Sequence, residues 1–364
     1  MGSPKFSTST KNYLPELDGL RFLAFLFVFI GHFHAFSDIP FLSILYKYGY
    51  IGVDLFFALS AYLFTKLLST EYRSTGKINL KKFYIRRVLR IWPLYFTFIL
   101  LSIGILFWAG AVFTPKLLKL IGTYLTFSYN IFLPFFGRHI PLPHAGHLWT
   151  VCYEEQFYLL IPFLIPLLIR MSTRQRIILF ISSFVLLNCI RWWFIEKQMP
   201  FLFIYFLPVT HFEAILLGIV VGFMKRGTFK MAIYPIILAI LSIYLFIALT
   251  FLPDIQTVSY LLFISYSLAG LFAAVLLYAI LNSGYLKKIF SYQPLVFLGK
   301  RSYGLYVYHT FATSVISGYS DNLYLSFIIA MSFTIVLSVV SYKFLETPFL
   351  KWKEKFVIVK SRPI

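Results

Sequence analysis

Three shortages mark this 364-residue chain before any motif is sought. Charged residues make up 13% of it, acidic residues number 13 against 33 Lys and Arg, and there are two cysteines. A soluble fold needs a polar shell around its core, and so little charge beside 60% hydrophobic residues does not supply one. Cys152 and Cys189 both lie in apolar runs with no pairing framework and no ligand spacing, which excludes a disulfide scaffold. Also absent are a Walker-type phosphate loop, a dinucleotide glycine fingerprint, zinc-style His/Cys spacing and Gly-x-Ser-x-Gly. No metal and no tightly bound cofactor are therefore expected. The opening Met1-Gly2-Ser3-Pro4-Lys5-Phe6 lacks the Ser or Thr of a myristoylation signal, and no cleavable leader is read ahead of the first apolar run.

What is abundant is apolar and aromatic. Mean hydropathy is +0.81, and aromatics reach 21%, with 43 Phe and 26 Tyr. Hydrocarbon can act as solvent for such a surface, provided every backbone polar group is paired internally, so long apolar runs imply helices. The expected fold is all-α, a polytopic transmembrane helix bundle. Segments near 14–36, 50–68, 91–112, 148–169, 177–195, 202–224, 231–250, 257–281, 302–319 and 323–343 approach the ~20 residues that cross a bilayer. An eleventh stretch, 117–135, is broken by Pro134 and carries Thr123, Thr126, Ser128 and Asn130.

The net charge of +20 does not point to nucleic acid, because the cations sit in short connections between apolar runs. With Lys5, Lys11 and Arg21 on the cytoplasmic side, the next connection on that side carries Arg73, Lys77, Lys81, Lys82, Arg86, Arg87 and Arg90. If 117–135 does not cross, the clusters Arg170/Arg174/Arg176, Lys225/Arg226/Lys230 and Lys287/Lys288 with Lys300/Arg301 fall inside too. The opposite loops then keep few cations, such as Lys47, Lys116, Arg138 and Lys197. This bias predicts about ten crossings plus a re-entrant or interfacial segment near 117–135, with both termini cytoplasmic. Residues 1–11 read as an N-terminal tail, 12–350 as one membrane domain and 351–364 as a basic tail. Lys351, Lys353, Lys355, Lys360 and Arg362 of that tail suit anionic lipid. No repeat of fixed period and no appended soluble domain are evident.

Ionisable side chains inside apolar segments are costly and mark functional candidates. In the first segment Arg21 and His32 are eleven positions apart, which on a helix is ~16 Å along the axis and nearly one face. One face would thus carry a fixed cation at one end and an imidazole, the common general base, toward the other. A snorkelling Arg with an interfacial His is the plainer alternative. Arg87 and Arg90, three apart and beside Arg86, would point one way on a helix, and guanidinium forks suit phosphates. Taken alone, a positive-inside cluster is the plainer reading of them. Glu154 and Glu155, in His147-Leu148-Trp149-Thr150-Val151-Cys152-Tyr153-Glu154-Glu155, open a membrane segment where both cannot face lipid. Such a carboxylate can orient a histidine, or it can form a structural ion pair. Asp54, Trp149, His211, Glu213 and His309 are weaker candidates, for acceptor contact or for bridging helices.

These motifs, in this order, resemble the acyltransferase-3 family of integral membrane acyltransferases. The family's Leu-Asp-Gly-Leu-Arg followed by ten residues and a His is matched by Leu17 to Arg21 with His32. Its R-x-x-R is matched by Arg87 and Arg90, and its Leu-Trp-Ser-Leu-Ser-x-Glu-Glu-x-Phe-Tyr run by Leu148 to Tyr158. Gly49 to Phe57 and Glu346 to Phe349 resemble two further stretches, so the likeness spans nearly the whole chain. Departures are Ser60-Ala61-Tyr62 for the usual Ser-Gly-Tyr, Cys152-Tyr153 before the acidic pair, and His211 where Arg is common. The resemblance implies transfer of an acyl group, often acetyl, from cytoplasmic acyl-CoA as co-substrate to a hydroxyl of a carbohydrate or glycosylated acceptor. It implies a bacterial inner membrane. On this expectation Arg86, Arg87 and Arg90 hold the CoA phosphates, and Arg21 seats the pantetheine or thioester. His32 is the base, and Glu154 or Glu155 orients it. Many relatives carry an extracytoplasmic domain, so transfer here is expected within the membrane domain or with a separate partner. The rival reading is a carrier or flippase for lipid-linked sugar, which also needs ten helices but often shows related halves.

Overall fold

The computed structural model describes residues 13–136, 142–225, 233–253, 258–316 and 322–359, and no strand occurs among them. The tail 1–11 lies outside the described residues, as do Arg138, Arg226, Lys230, Lys360 and Arg362 from the charge reading.

The chain enters at α1 (Pro15–Gly31), whose first position is a proline, where a missing N–H costs nothing. A short α2 (Pro40–Tyr48) leads to α3 (Ile51–Thr75), which stops on Gly76 in the left-handed conformation. Asn79 caps α4 (Leu80–Trp108) by accepting from the Lys82 amide. The 117–135 stretch forms two pieces, α5 (Pro115–Leu125) and α6 (Tyr129–Phe136). Neither has the ~20 residues of a crossing, in keeping with a re-entrant or surface segment. A capping box of Ser172 and Gln175 separates α7 (Trp149–Arg170) from α8 (Thr173–Glu196). Then follow α9 (Phe201–Phe206), α10 (Glu213–Phe223), α11 (Ile233–Thr250) and α12 (Leu262–Asn282). The last group is α13 (Gly284–Phe290), α14 (Gln293–Lys300), α15 (Ser302–Ile316), α16 (Leu323–Ser341) and α17 (Thr347–Lys353), with a π-helical turn at Tyr342–Glu346.

Among the described residues, seven helices are long and apolar enough to span a bilayer. The protein is an all-α polytopic bundle, as expected. The other three expected crossings fall on shorter helices: α1 with 17 residues, α10 with 11 and α15 with 15. The run 202–224, expected as one helix, is broken between α9 and α10. Pro208 lies in the break and has no N–H to extend a helix. The carbonyls released there are satisfied from inside the protein. Arg191 Nε donates to Thr210 O at 2.8 Å, and His211 Nδ1 to Tyr205 O at 3.1 Å. Irregular backbone survives at membrane depth only where protein supplies such partners.

Burial separates the middle from the rim. The apolar windows of α3 and α12 are 72% and 67% buried, whereas those of α8 and α11 are 11% and 17% buried and carry the lipid-facing surface. Close approach at the centre depends on small residues, since hydrocarbon gives helices no hydrophobic drive to associate. Gly218 of α10 lies against the Ala58 carbonyl of α3, and one turn on Gly222 lies against Thr65. A Cβ at Gly218 would meet backbone, which cannot swing away. Gly218→Leu should therefore lower the thermal midpoint of the purified protein by many degrees, while Leu217→Ala, one position along, should not. A Gly218→Leu protein melting with the wild type would show that α3 and α10 are not tightly packed.

Candidate active site

The Leu-Asp-Gly-Leu-Arg run has a local structural cause. Gly19 lies against the Phe290 carbonyl of α13, and the Asp18 carbonyl lies against Gly299 of α14. A side chain at either glycine would push α1 outward. With α1 seated, Asp18 pairs with Arg21 at 2.5 Å, and Tyr13 donates to the same carboxylate at 2.9 Å.

Two cavities lie end to end along the bundle. The first, about 580 Å³, collects cations: Arg21 of α1, Lys66 of α3, Arg87 and Arg90 of α4, and Lys353 of α17 line it. Asp18 and Glu154 are the carboxylates on its wall. Both oxygens of Glu154 are engaged, accepting from Ser60 Oγ at 2.8 Å and Tyr158 Oη at 2.9 Å. The Arg87 guanidinium packs over the Phe64 ring at 4.7 Å.

The second cavity, about 390 Å³, is walled by aromatics, Tyr129, Trp149, Phe201 and Tyr205 among them, and holds His32 and His147. His32 is the C-cap residue of α1, so the expected helix to residue 36 ends earlier. Its Nδ1 lies 2.8 Å from the Val28 carbonyl. A carbonyl only accepts, so Nδ1 carries the proton and neutral His32 keeps its lone pair on Nε2. His32 is solvent-exposed, whereas its two imidazole neighbours are buried. His309 of α15 meets it edge-on with ring centroids 4.8 Å apart, and His147 meets His309 at the same separation. The neighbours repeat the tautomer. His309 Nδ1 lies 2.5 Å from the Tyr306 carbonyl. His147 Nδ1 lies 3.1 Å from Thr310 Oγ1, whose own proton goes to the His144 carbonyl. Among the described residues, the Nε2 atoms of His309 and His147 have no hydrogen-bond partner. Three imidazoles thus converge, each held by Nδ1 with Nε2 left to accept a proton.

A buried ionic network backs the second cavity without opening to it. Arg191 of α8 pairs with Glu213 of α10, donates to Phe263 O at 3.0 Å, and stacks over Tyr266 at 4.6 Å. Beside it His211 Nε2 lies 3.0 Å from the Asp54 carboxylate of α3. Asp54, His211 and Glu213 are therefore helix-bridging groups.

The site differs from expectation in three respects. Glu154 is bound to Ser60 and Tyr158 and lines the first cavity, and Glu155 accepts from Trp92 Nε1 at 3.4 Å; neither orients His32. Consecutive helical residues point ~100° apart, and Glu154 and Glu155 turn to different neighbours. The Val28 carbonyl holds the His32 ring instead. Arg86 stands apart from Arg87 and Arg90, 3.6 Å from Glu71 and donating to Phe356 O at 2.8 Å. Arg191, Lys66 and the role of His147 were not read from the sequence. His147 alone had a signal there, as the first residue of the acidic-pair motif.

The profile of the acyltransferase-3 family, described as an acyltransferase domain, matches residues 14–343. The chain belongs to this family. It is similar to O-acetyltransferase OatA of Staphylococcus aureus (strain NCTC 8325 / PS 47), 32% identical over 362 residues that cover 93% of this chain and 57% of OatA. It is also similar to "Putative O-acetyltransferase SAR0937" of Staphylococcus aureus (strain MRSA252), 30% identical over 375 residues, 95% of this chain and 60% of that protein. The chain thus spans about three-fifths of the length of these relatives. No solved structure matches it.

Proposed function

We propose that the protein is an O-acyltransferase that moves an acyl group, acetyl by analogy with its relatives, from cytoplasmic acyl-CoA to a hydroxyl of a carbohydrate or glycosylated acceptor. The observation that carries this reading is the end-to-end placement of a cationic cavity and a histidine cavity. Arg87, Arg90 and Lys66 offer charge-assisted donors to the CoA phosphates, and Arg21 lines the same cavity, where it would seat the pantetheine or thioester. The acceptor hydroxyl enters the second cavity from the outer half of the membrane. His32 Nε2 takes its proton as the oxygen attacks the thioester carbon. The carbon–sulfur bond breaks, a carbon–oxygen ester bond forms, and CoA leaves as a thiolate that takes up a proton. His309 presents a second Nε2 beside His32 to which the proton can pass. An acyl-histidine route would use the same Nε2. The enzyme sits in the bacterial plasma membrane with both termini cytoplasmic, the side on which acyl-CoA is available.

Release of free CoA from acetyl-CoA by the purified protein in lipid, with a panel of sugar acceptors, tests the reading. Acceptor-stimulated release supports it. A protein that neither binds nor consumes acyl-CoA would be better described as a carrier.

A further inference from the structure

The linings of the two cavities change over at one level on three helices. On α3, Tyr50 lines only the second cavity and Phe56, Phe57 and Ser60 only the first, with Val53 on both. On α15, Ser302 and Tyr303 line the first and Tyr306 lines both. Where α7 begins, Trp149 belongs to the second and Thr150 to the first. Val53 and Tyr306 are the two residues that the linings share, so they form the partition between them.

Both sides of that partition are stiff. The Tyr306 hydroxyl accepts from Thr150 Oγ1 at 2.7 Å and donates to the His147 carbonyl at 3.0 Å, which ties the ring to α7 and to the turn before it. Its ring packs 5.9 Å from Phe56 and 5.4 Å from His309. Val53 is β-branched, in the first turn of α3, with few side-chain conformers open to it. A donor held by its phosphates in the first cavity would reach His32 by passing its acyl carbon between the two side chains that both linings share.

We propose that Val53 and Tyr306 form the aperture through which the acyl group is presented to His32, and that Val53 sets the upper limit on acyl chain length. The inference rests on the acyl-CoA reading above and leaves its bond changes as written: carbon–sulfur broken, carbon–oxygen formed, the hydroxyl proton passed to His32. An acetyl group adds one methyl beyond the carbonyl carbon. Each further methylene has to displace a fixed ring or a branched side chain. A misfit of one methylene in an apolar site typically changes kcat/KM by about 10- to 200-fold.

The test compares kcat/KM for acetyl-, propionyl- and butyryl-CoA in wild type, Val53→Ala and Val53→Ile, with one acceptor throughout. The propionyl-to-acetyl ratio should rise about tenfold or more in Val53→Ala, which removes two methyls from the rim, and fall in Val53→Ile. If Val53→Ala fails to fold, Val53→Ile, which adds a single methylene, carries the test. Ratios unchanged while all three donors slow together would overturn the aperture and leave the acyl-CoA reading standing. A wild type that consumes no thioester with any acceptor would instead overturn that reading, and the aperture with it.

Discussion

His32→Ala should lose nearly all turnover, about 10²- to 10⁴-fold in kcat, with little change in KM for acyl-CoA. The size follows from what is removed: the exposed imidazole of the cluster, with Nδ1 held by Val28 and Nε2 left as base. Its neighbours do not replace it, because His309 and His147 are buried and His32 is the exposed one of the three. His32→Gln sharpens the comparison, since its amide can hydrogen-bond but cannot take a proton at neutral pH. Both variants should fold, because the residue lies at the end of α1 and its side-chain hydrogen bond reaches back within its own turn. Steady-state kinetics beside a melting curve decides the matter. A well-folded His32→Ala protein with wild-type turnover would remove His32 from the chemistry, for the direct and the acyl-histidine routes alike.

The second large effect is structural. Glu213→Gln leaves the Arg191 guanidinium fully buried without its counter-charge, and breaking such a pair on one side typically costs about 3–5 kcal/mol. Arg191 also supplies hydrogen bonds to Thr210 O and Phe263 O, so its loss exposes two buried carbonyls as well as the Glu213 charge. Arg191→Met should therefore be at least as damaging as Glu213→Gln. Arg191→Met/Glu213→Leu should recover part of the loss, because no lone charge remains but the carbonyls stay unpaired. Thermal melts in one detergent give the ordering directly. Additive losses in the double variant would mean that the two side chains are not coupled.

This network also shows where sequence reading stops. Phe201 to Phe206 and Ala214 to Phe223 read as one apolar run because hydropathy registers side chains, whereas the break at 207–212 is held by donors from α8. Arg191 lies near the end of an apolar segment, where a cation looks like a snorkelling side chain, and only packing shows it to be buried. The helical bundle itself was legible, since apolar runs approaching ~20 residues satisfy their backbone in hydrocarbon as helices. Arg21 and His32 were legible as a pair from helical spacing, and α1 does carry one to each cavity. The expected orienting of His32 by Glu154 or Glu155 was not legible in the same way, because position in sequence does not say which side chain turns toward which helix. The His32–His309–His147 convergence joins α1, α15 and the turn before α7, and no local pattern announces it.

The central claim is that the donor is held in one cavity and the chemistry is done in the other. Equilibrium binding of a non-hydrolysable acetyl-CoA thioether tests it most directly, with wild type, His32→Ala and Arg87→Gln/Arg90→Gln compared in the same lipid. The expected result is unchanged affinity in His32→Ala and affinity weaker by about tenfold or more in the double arginine variant, where two charge-assisted contacts are lost. Equal loss in both variants, or wild-type affinity in the arginine variant, would contradict the division of the site.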